Sequence, residues 1–129
     1  MLSRGIRLRS GRDFRAVYGK CRTVSSARLV LAVRNFKHGR PERSRDDTPY
    51  VRFGFSISKK TAKRAHDRNK IKRRLREIVR IRILPKLKPG IDSDTILTVR
   101  QPALELRFED LAYDVDTLFS DSGLLLDES

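Results

Sequence analysis

The sequence predicts a single α/β domain of the α+β type, one sheet covered by helices, with elements in the order α-β-β-α-β-α. Three observations predict it. The 129-residue length suits one domain and not two. Strict alternation over Tyr50–Ser58 sets Val51, Phe53, Phe55 and Ile57 against Arg52, Gly54, Ser56 and Ser58, the period of a strand with one apolar face. Strand, helix and strand then follow across residues 50–100, as in a βαβ unit. The domain is expected over residues 1–120, with 121–129 as an acidic, frayed tail.

Taken in order, Ser10 is placed to cap a first helix, with Asp13 three positions on as a weak capping box and Gly19 as the stop. Phe14, Val17 and Tyr18 share one face of it, as core or as a stacking platform for unpaired bases. Arg28–Val33 is a short apolar strand. The aperiodic, charged stretch 36–49 reads as a flexible surface loop. After the Tyr50–Ser58 strand, a helix is expected from an N-cap at Asp67. It turns Ile71, Leu75, Ile78, Val79 and Arg82 inward, and Asn69, Arg73, Arg76 and Arg80 outward. Pro85 and Pro89-Gly90 end it. Asp94–Arg100 is the third strand. Phe108, Leu111, Ala112, Val115, Leu118 and Phe119 form the stripe of a last amphipathic helix.

Charge restricts the function. The chain has 30 Lys plus Arg against 16 Asp plus Glu, a net charge of +14. Residues 1–104 carry +21 and residues 105–129 carry −7. Between Lys59 and Arg82, 12 of 24 residues are basic and only Asp67 and Glu77 are acidic. Such a run repels itself unless an anion screens it, which points to a polyanionic partner. Arg68 and Lys70 near a helix N-terminus, with arginine forks behind them, suit phosphates.

Other classes are disfavoured. One cysteine and two histidines exclude a disulfide framework and give little for a metal centre. His66 has no partner nucleophile, and Asp46, Asp47, Asp92 and Asp94 read as solvated loop acids, so no protein-borne catalytic residue is expected. No phosphate-binding glycine loop occurs. No apolar run reaches the ~20 residues of a membrane span, and no signal-peptide pattern begins the chain. A cytoplasmic protein with no membrane partner and no small-molecule substrate is expected.

The stretch Ser58-Lys-Lys-Thr-Ala-Lys-Arg-Ala-His-Asp-Arg-Asn-Lys-Ile-Lys-Arg-Arg-Leu-Arg-Glu77 resembles the signature of the bacterial ribonuclease P protein component. Arg68-Asn69-Lys70 stands at the family's Arg-Asn-Arg box, followed by Ile71-Lys72-Arg73 and Arg76-Glu77. The likeness extends to Phe53–Lys60, to Arg7-Leu8, and to Asp13-Phe14 and Val17-Tyr18. Residues 7 to about 119 follow the family's order of elements.

This resemblance implies a ribosomal-protein-like two-layer sandwich with a left-handed βαβ crossover, against the general right-handed rule. It implies a catalytic RNA partner that performs hydrolysis with magnesium, and a precursor tRNA whose 5′ leader the protein grips. By the same likeness Arg68, Asn69, Lys70, Lys72, Arg73 and Arg76 face the catalytic RNA, Arg76 serving either surface. Phe14, Tyr18, Val30, Ala32 and Ser56 line the leader cleft. Arg52, Lys59, Lys60, Lys63 and Arg64 add basic contacts. Three departures stand out: Lys70 lacks the fork of the arginine it replaces, Ala32 stands where some members have an aromatic, and the long 36–49 loop and the acidic tail carry no family function. A structural, ribosomal-type RNA-binding protein is the alternative. A DNA-binding regulator lacks a turn-linked partner helix, a protein-only nuclease lacks an acid cluster, and a membrane-surface binder lacks Trp.

Overall fold

The structure, a computed structural model, describes residues 6–8, 10–26, 28–36, 49–100 and 107–126. Its elements are α1 (Gly11–Gly19), β1 (Arg22–Ser25), β2 (Leu29–Asn35), β3 (Tyr50–Ile57), α2 (Ala65–Ile78), β4 (Asp92–Val99) and α3 (Phe108–Ser122). The six expected elements are present, and β1 is an addition. Four residues with only Val24 half-buried carry no readable period; β1 exists because it pairs with β2. The loop expected at 36–49 lies outside the described residues from 37 to 48.

The sheet order is β1-β2-β4-β3. β2 is antiparallel to both β1 and β4, whereas β3 and β4 run parallel and are joined through α2. Along β3 the alternation read from sequence holds. Val51, Phe53, Phe55 and Ile57 join Leu29, Leu31, Val33, Leu97 and Val99 in the main core, capped by α2 and α3. Ile71, Leu75 and Ile78 supply the inward stripe of α2, and Leu111, Val115, Leu118 and Phe119 that of α3. The rings of Phe53 and Phe119 meet tilted, with centroids 5.9 Å apart. On the opposite face a smaller cluster of Leu8, Val17, Ala32 and Ile96 lies under α1.

Four expectations need correcting. The N-cap of α2 is Arg64, without a side-chain cap bond, and Asp67 sits in the first turn. Beyond Ile78 the helix widens into a π turn, Val79–Ile83, then a short 3-10 turn, Leu84–Lys86. Pro85 can neither donate to the preceding turn nor fit against it, which ends the regular helix. The wide turn carries Ile83 inward and leaves Arg82 outside, bonded to Asp116 at 2.6 Å.

Asp92 and Asp94 are buried in β4 rather than solvated in a loop. The segment after Ser120 is packed as far as Leu125, and the Leu126 N–H donates to the Lys86 carbonyl at 2.7 Å. Gly123 ends α3 at φ 82°, a left-handed position that favours glycine. Leu124 and Leu125 are buried, and Leu125 bridges Leu87. Residues 127–129 lie outside the described residues.

Candidate nucleic-acid interface

The basic run is held in place from beneath. Ser58 and Thr61 share a hydroxyl contact at 3.2 Å, and the Thr61 hydroxyl donates to the Val99 carbonyl at 3.2 Å. This pins the turn that leads into α2 while Lys59, Lys60, Lys63 and Arg64 remain exposed. The Arg68 guanidinium folds back and donates to the carbonyls of Ala62 and Lys63, at 3.0 and 2.9 Å. It therefore shapes the turn as well as carrying charge. Asn69, Lys70 and Arg73 are exposed, and Lys72 and Arg76 are half-buried.

Among the described residues, Lys59, Lys60, Lys63, Arg64, Lys70, Lys72 and Arg73 make no ion pair with one another's neighbours or with any acid. Arginines elsewhere do. Arg28 meets Asp114 at 3.5 Å and Arg82 meets Asp116. Arg80 bonds Glu77, which holds that exposed carboxyl below its ordinary pKa.

The second region is the sheet face under α1. Register aligns its outward side chains in rows across β2, β4 and β3: Val30–Thr98–Ser56, Ala32–Ile96–Gly54 and Arg34–Asp94–Arg52. In the first row Val30, Thr98 and Ser56 are half-buried, and the Tyr18 hydroxyl stands 3.5 Å from that of Thr98. This row presents two hydroxyls and one aliphatic side chain beside Tyr18. Thr98 was not anticipated, although its alternation with Ile96 marks it on the sequence.

The second row is closed. Ala32 is only 3% exposed, packed with Leu8, Val17 and Ile96, so it cannot line the groove as expected. Val17 of α1 covers it. Phe14 also departs from Tyr18: its ring lies over Gly54, where a Cβ would come within 2.8 Å of Phe14 Cζ. That glycine is required by the close approach. Phe14 instead meets Lys72 and Arg76 around a cavity of about 250 Å³ at the β3 edge. The structure thus brings Tyr18, Val30 and Ser56 together, and separately brings Phe14 together with two cations of α2.

The third row pairs Arg52, one of the expected basic contacts, with a buried acid. Parallel pairing sets Arg52 opposite Asp94, and its Nε and Nη2 donate to the two carboxylate oxygens at 2.8 and 2.7 Å. These bonds hold the guanidinium above its ordinary pKa. Asp13 of α1 stands 4.0 Å from the same guanidinium. A carboxylate only 2% exposed needs such a partner, so Arg52 serves Asp94 before any phosphate.

Comparison with known proteins decides the family. The Ribonuclease P sequence profile matches residues 2–123. The chain belongs to the ribonuclease P protein family. It is 35% identical to the ribonuclease P protein component of a Cyanothece species, over 97% of this chain and 98% of that one. With the ribonuclease P protein component of Symbiobacterium thermophilum it shares 34% identity over 96% of both chains. The solved Staphylococcus aureus RNase P protein matches with a TM-score of 0.73 at 26% identity, covering 94% of this chain and 98% of that one. The RNase P protein from Thermotoga maritima shares the fold, with a TM-score of 0.69, 23% identity and coverage of 89% and 96%.

As a ribonuclease P protein, the chain is an RNA-binding component of a tRNA-processing ribonucleoprotein. The family signature from Ser58 to Glu77 falls on the pinned turn and α2. Nothing in these matches supports a structural RNA-binding protein outside ribonuclease P. Among the described residues, no helix is long and apolar enough to cross a membrane.

Proposed function

We propose that the protein grips two RNAs in ribonuclease P and leaves the hydrolysis to one of them. The turn 59–64 and the outer face of α2, with Asn69, Lys70, Lys72, Arg73 and Arg76, bind the catalytic RNA. The groove between Tyr18 and the Val30–Thr98–Ser56 row takes the single-stranded 5′ leader of precursor tRNA, and the leader is removed to give the mature 5′ end. The observation that carries this reading is the contrast in pairing. Arginines 28, 52, 80 and 82 are bonded to carboxylates, while Lys70, Lys72 and Arg73 of α2 face no acid among the described residues. Cations left in that state are matched by a phosphate backbone.

The same reading assigns the chemical step to the RNA and its magnesium ions. Among the described residues no three of His, Cys, Asp and Glu cluster, and Asp94 is taken by Arg52. The role proposed for the protein residues is to hold the two RNAs in place. Their contribution is electrostatic and positional, in a cytoplasmic ribonucleoprotein.

The test is the affinity of the RNA–protein complex for precursor tRNA against mature tRNA, with and without the protein. The protein is expected to favour the leader-bearing RNA by about tenfold, a change of ~1.4 kcal/mol. Equal gains for both tRNAs would remove the leader from this account.

A further inference from the structure

Helix α1 divides the sheet face beneath it. Tyr18 stands beside the Val30–Thr98–Ser56 row, and Asp13 stands on the other side, beside the Arg34–Asp94–Arg52 row. We propose that Arg52, Asp13 and Arg34 are positioning residues for the 5′ leader. They fix the rotation of α1, and with it the distance of Tyr18 from the first row, without touching RNA themselves. The inference rests on the leader reading above and deepens it.

The apolar contacts of α1 fix that rotation only weakly. Val17 is its buried residue, and the Phe14 ring rests on Gly54. Apolar burial is non-directional, so these contacts hold the helix down more than they orient it.

The polar contacts start from a fixed point. Asp94 is 2% exposed on β4, the strand between β2 and β3. It holds Nε and Nη2 of Arg52, and Nη1 of the same guanidinium stands 4.0 Å from Asp13 Oδ2. A planar fork gripped at two nitrogens cannot turn, so it presents its third nitrogen to α1 at one place. From β2, Arg34 Nη1 donates to the Ala16 carbonyl at 3.4 Å. Its guanidinium is braced 4.6 Å from the centre of the Phe36 ring. Two arginines from two strands thus meet the same helix, at Asp13 and at Ala16.

Tyr18 lies five residues beyond Asp13, about 7.5 Å along the helix and roughly 140° round it. A rotation of α1 at the Asp13 side therefore carries the Tyr18 hydroxyl away from that of Thr98, now 3.5 Å distant. A shift of about 1 Å at such a contact is enough to weaken a bound ligand.

Charge separates this role from direct contact with RNA. Asp13→Asn removes a negative charge, so electrostatics alone predicts tighter binding of a polyanion. Positioning predicts weaker binding of the leader. Asp13→Asn, Arg34→Gln and Arg52→Lys proteins, each assembled with the catalytic RNA, are compared with wild type for affinity to precursor tRNA and to mature tRNA across a range of salt.

Each variant is expected to lose about threefold of the preference for the leader-bearing RNA, with mature tRNA bound within about twofold of wild type. The salt slope is expected to stay the same, since no phosphate contact is lost. The double variant Asp13→Asn/Arg52→Lys is expected to lose no more than Asp13→Asn, because both changes break one link. The Asp13 side chain is 38% exposed, so Asp13→Asn tests the idea even where Arg52→Lys disturbs the buried pair.

Unchanged or tighter leader binding by Asp13→Asn would overturn the proposal. An equal loss for precursor and mature tRNA would also overturn it, because a merely structural role harms both. A salt slope lowered by about one in Arg34→Gln would put that residue on a phosphate and end its positioning role. A wild-type complex with no preference for precursor tRNA would instead overturn the leader reading beneath.

Discussion

Helices α2 and α3 cover the same face of the sheet, and both bury an apolar stripe in the main core. Outside that core they diverge. Helix α2 carries Arg68, Lys70, Lys72, Arg73, Arg74 and Arg76 against Asp67 and Glu77, while α3 has five acids and no base. The acids of α3 are partly used: Asp114 meets Arg28, and Asp116 meets Arg82. Among the described residues, Lys70, Lys72 and Arg73 of α2 meet no acid. Folding therefore explains the inner faces of both helices and the pairing of α3. It does not explain the outer face of α2, and that surplus is what a polyanionic partner accounts for.

If the two helices differ only outside the core, truncating either stripe should do equal harm. Leu75→Ala and Leu111→Ala remove fully buried side chains. Each is expected to cost about 2–5 kcal/mol, read from denaturant unfolding. A much smaller loss in one helix would show that its stripe is not part of the shared core.

Next in size is the contrast in RNA binding. Lys70→Gln or Arg73→Gln should weaken binding to the catalytic RNA and flatten its salt dependence by about one phosphate contact each. Their stability should stay within about 0.5 kcal/mol of wild type. Asp110→Asn and Asp121→Asn on α3 should leave the salt slope unchanged. An equal change from both helices would mean that total charge, and not α2, governs binding.

Arg68 sharpens the contrast further, because it combines both kinds of role. Since its guanidinium holds the Ala62 and Lys63 carbonyls, Arg68→Ala should lose RNA affinity and also about 1 kcal/mol of stability. Arg73→Ala should lose affinity alone. Thermal melting of the two variants beside RNA titration separates these outcomes.

The smallest effect is expected at Glu77. Its carboxyl is held below its ordinary pKa by Arg80, so any stability it adds is present above the unfolded pKa and lost as pH falls through the lower folded value. The pair is solvent-exposed, so Glu77→Gln should barely alter unfolding between pH 3 and 5. A clear loss of acid sensitivity would give that pair a larger role.

Much of the fold was legible because apolar period and length coincide. Tyr50–Ser58 alternates without a break, and the stripe of α3 runs from Leu111 to Phe119. What could not be read depends on partners distant in sequence. Asp94 looks like any polar residue at a strand's beginning until parallel register puts Arg52 opposite it. The same register buries Ala32 beneath Val17 and sets Gly54 beneath the Phe14 ring.

The C-terminal segment shows a signal passed over. Leu124-Leu125-Leu126 interrupts the acidic tail, and its first two leucines are buried against the segment around Leu87. The basic character of α2 was fully legible, since charge needs no tertiary context. Which cations were already taken was not.

The central claim, that this protein supplies grip while RNA supplies chemistry, is tested most directly by cleavage of a precursor tRNA at low magnesium. The catalytic RNA is assayed alone, with the protein, and against the protein alone. The account predicts cleavage at the 5′ leader junction that depends on the protein and is absent without the RNA. Cleavage by the protein alone, or tight RNA binding with no stimulation, would contradict it.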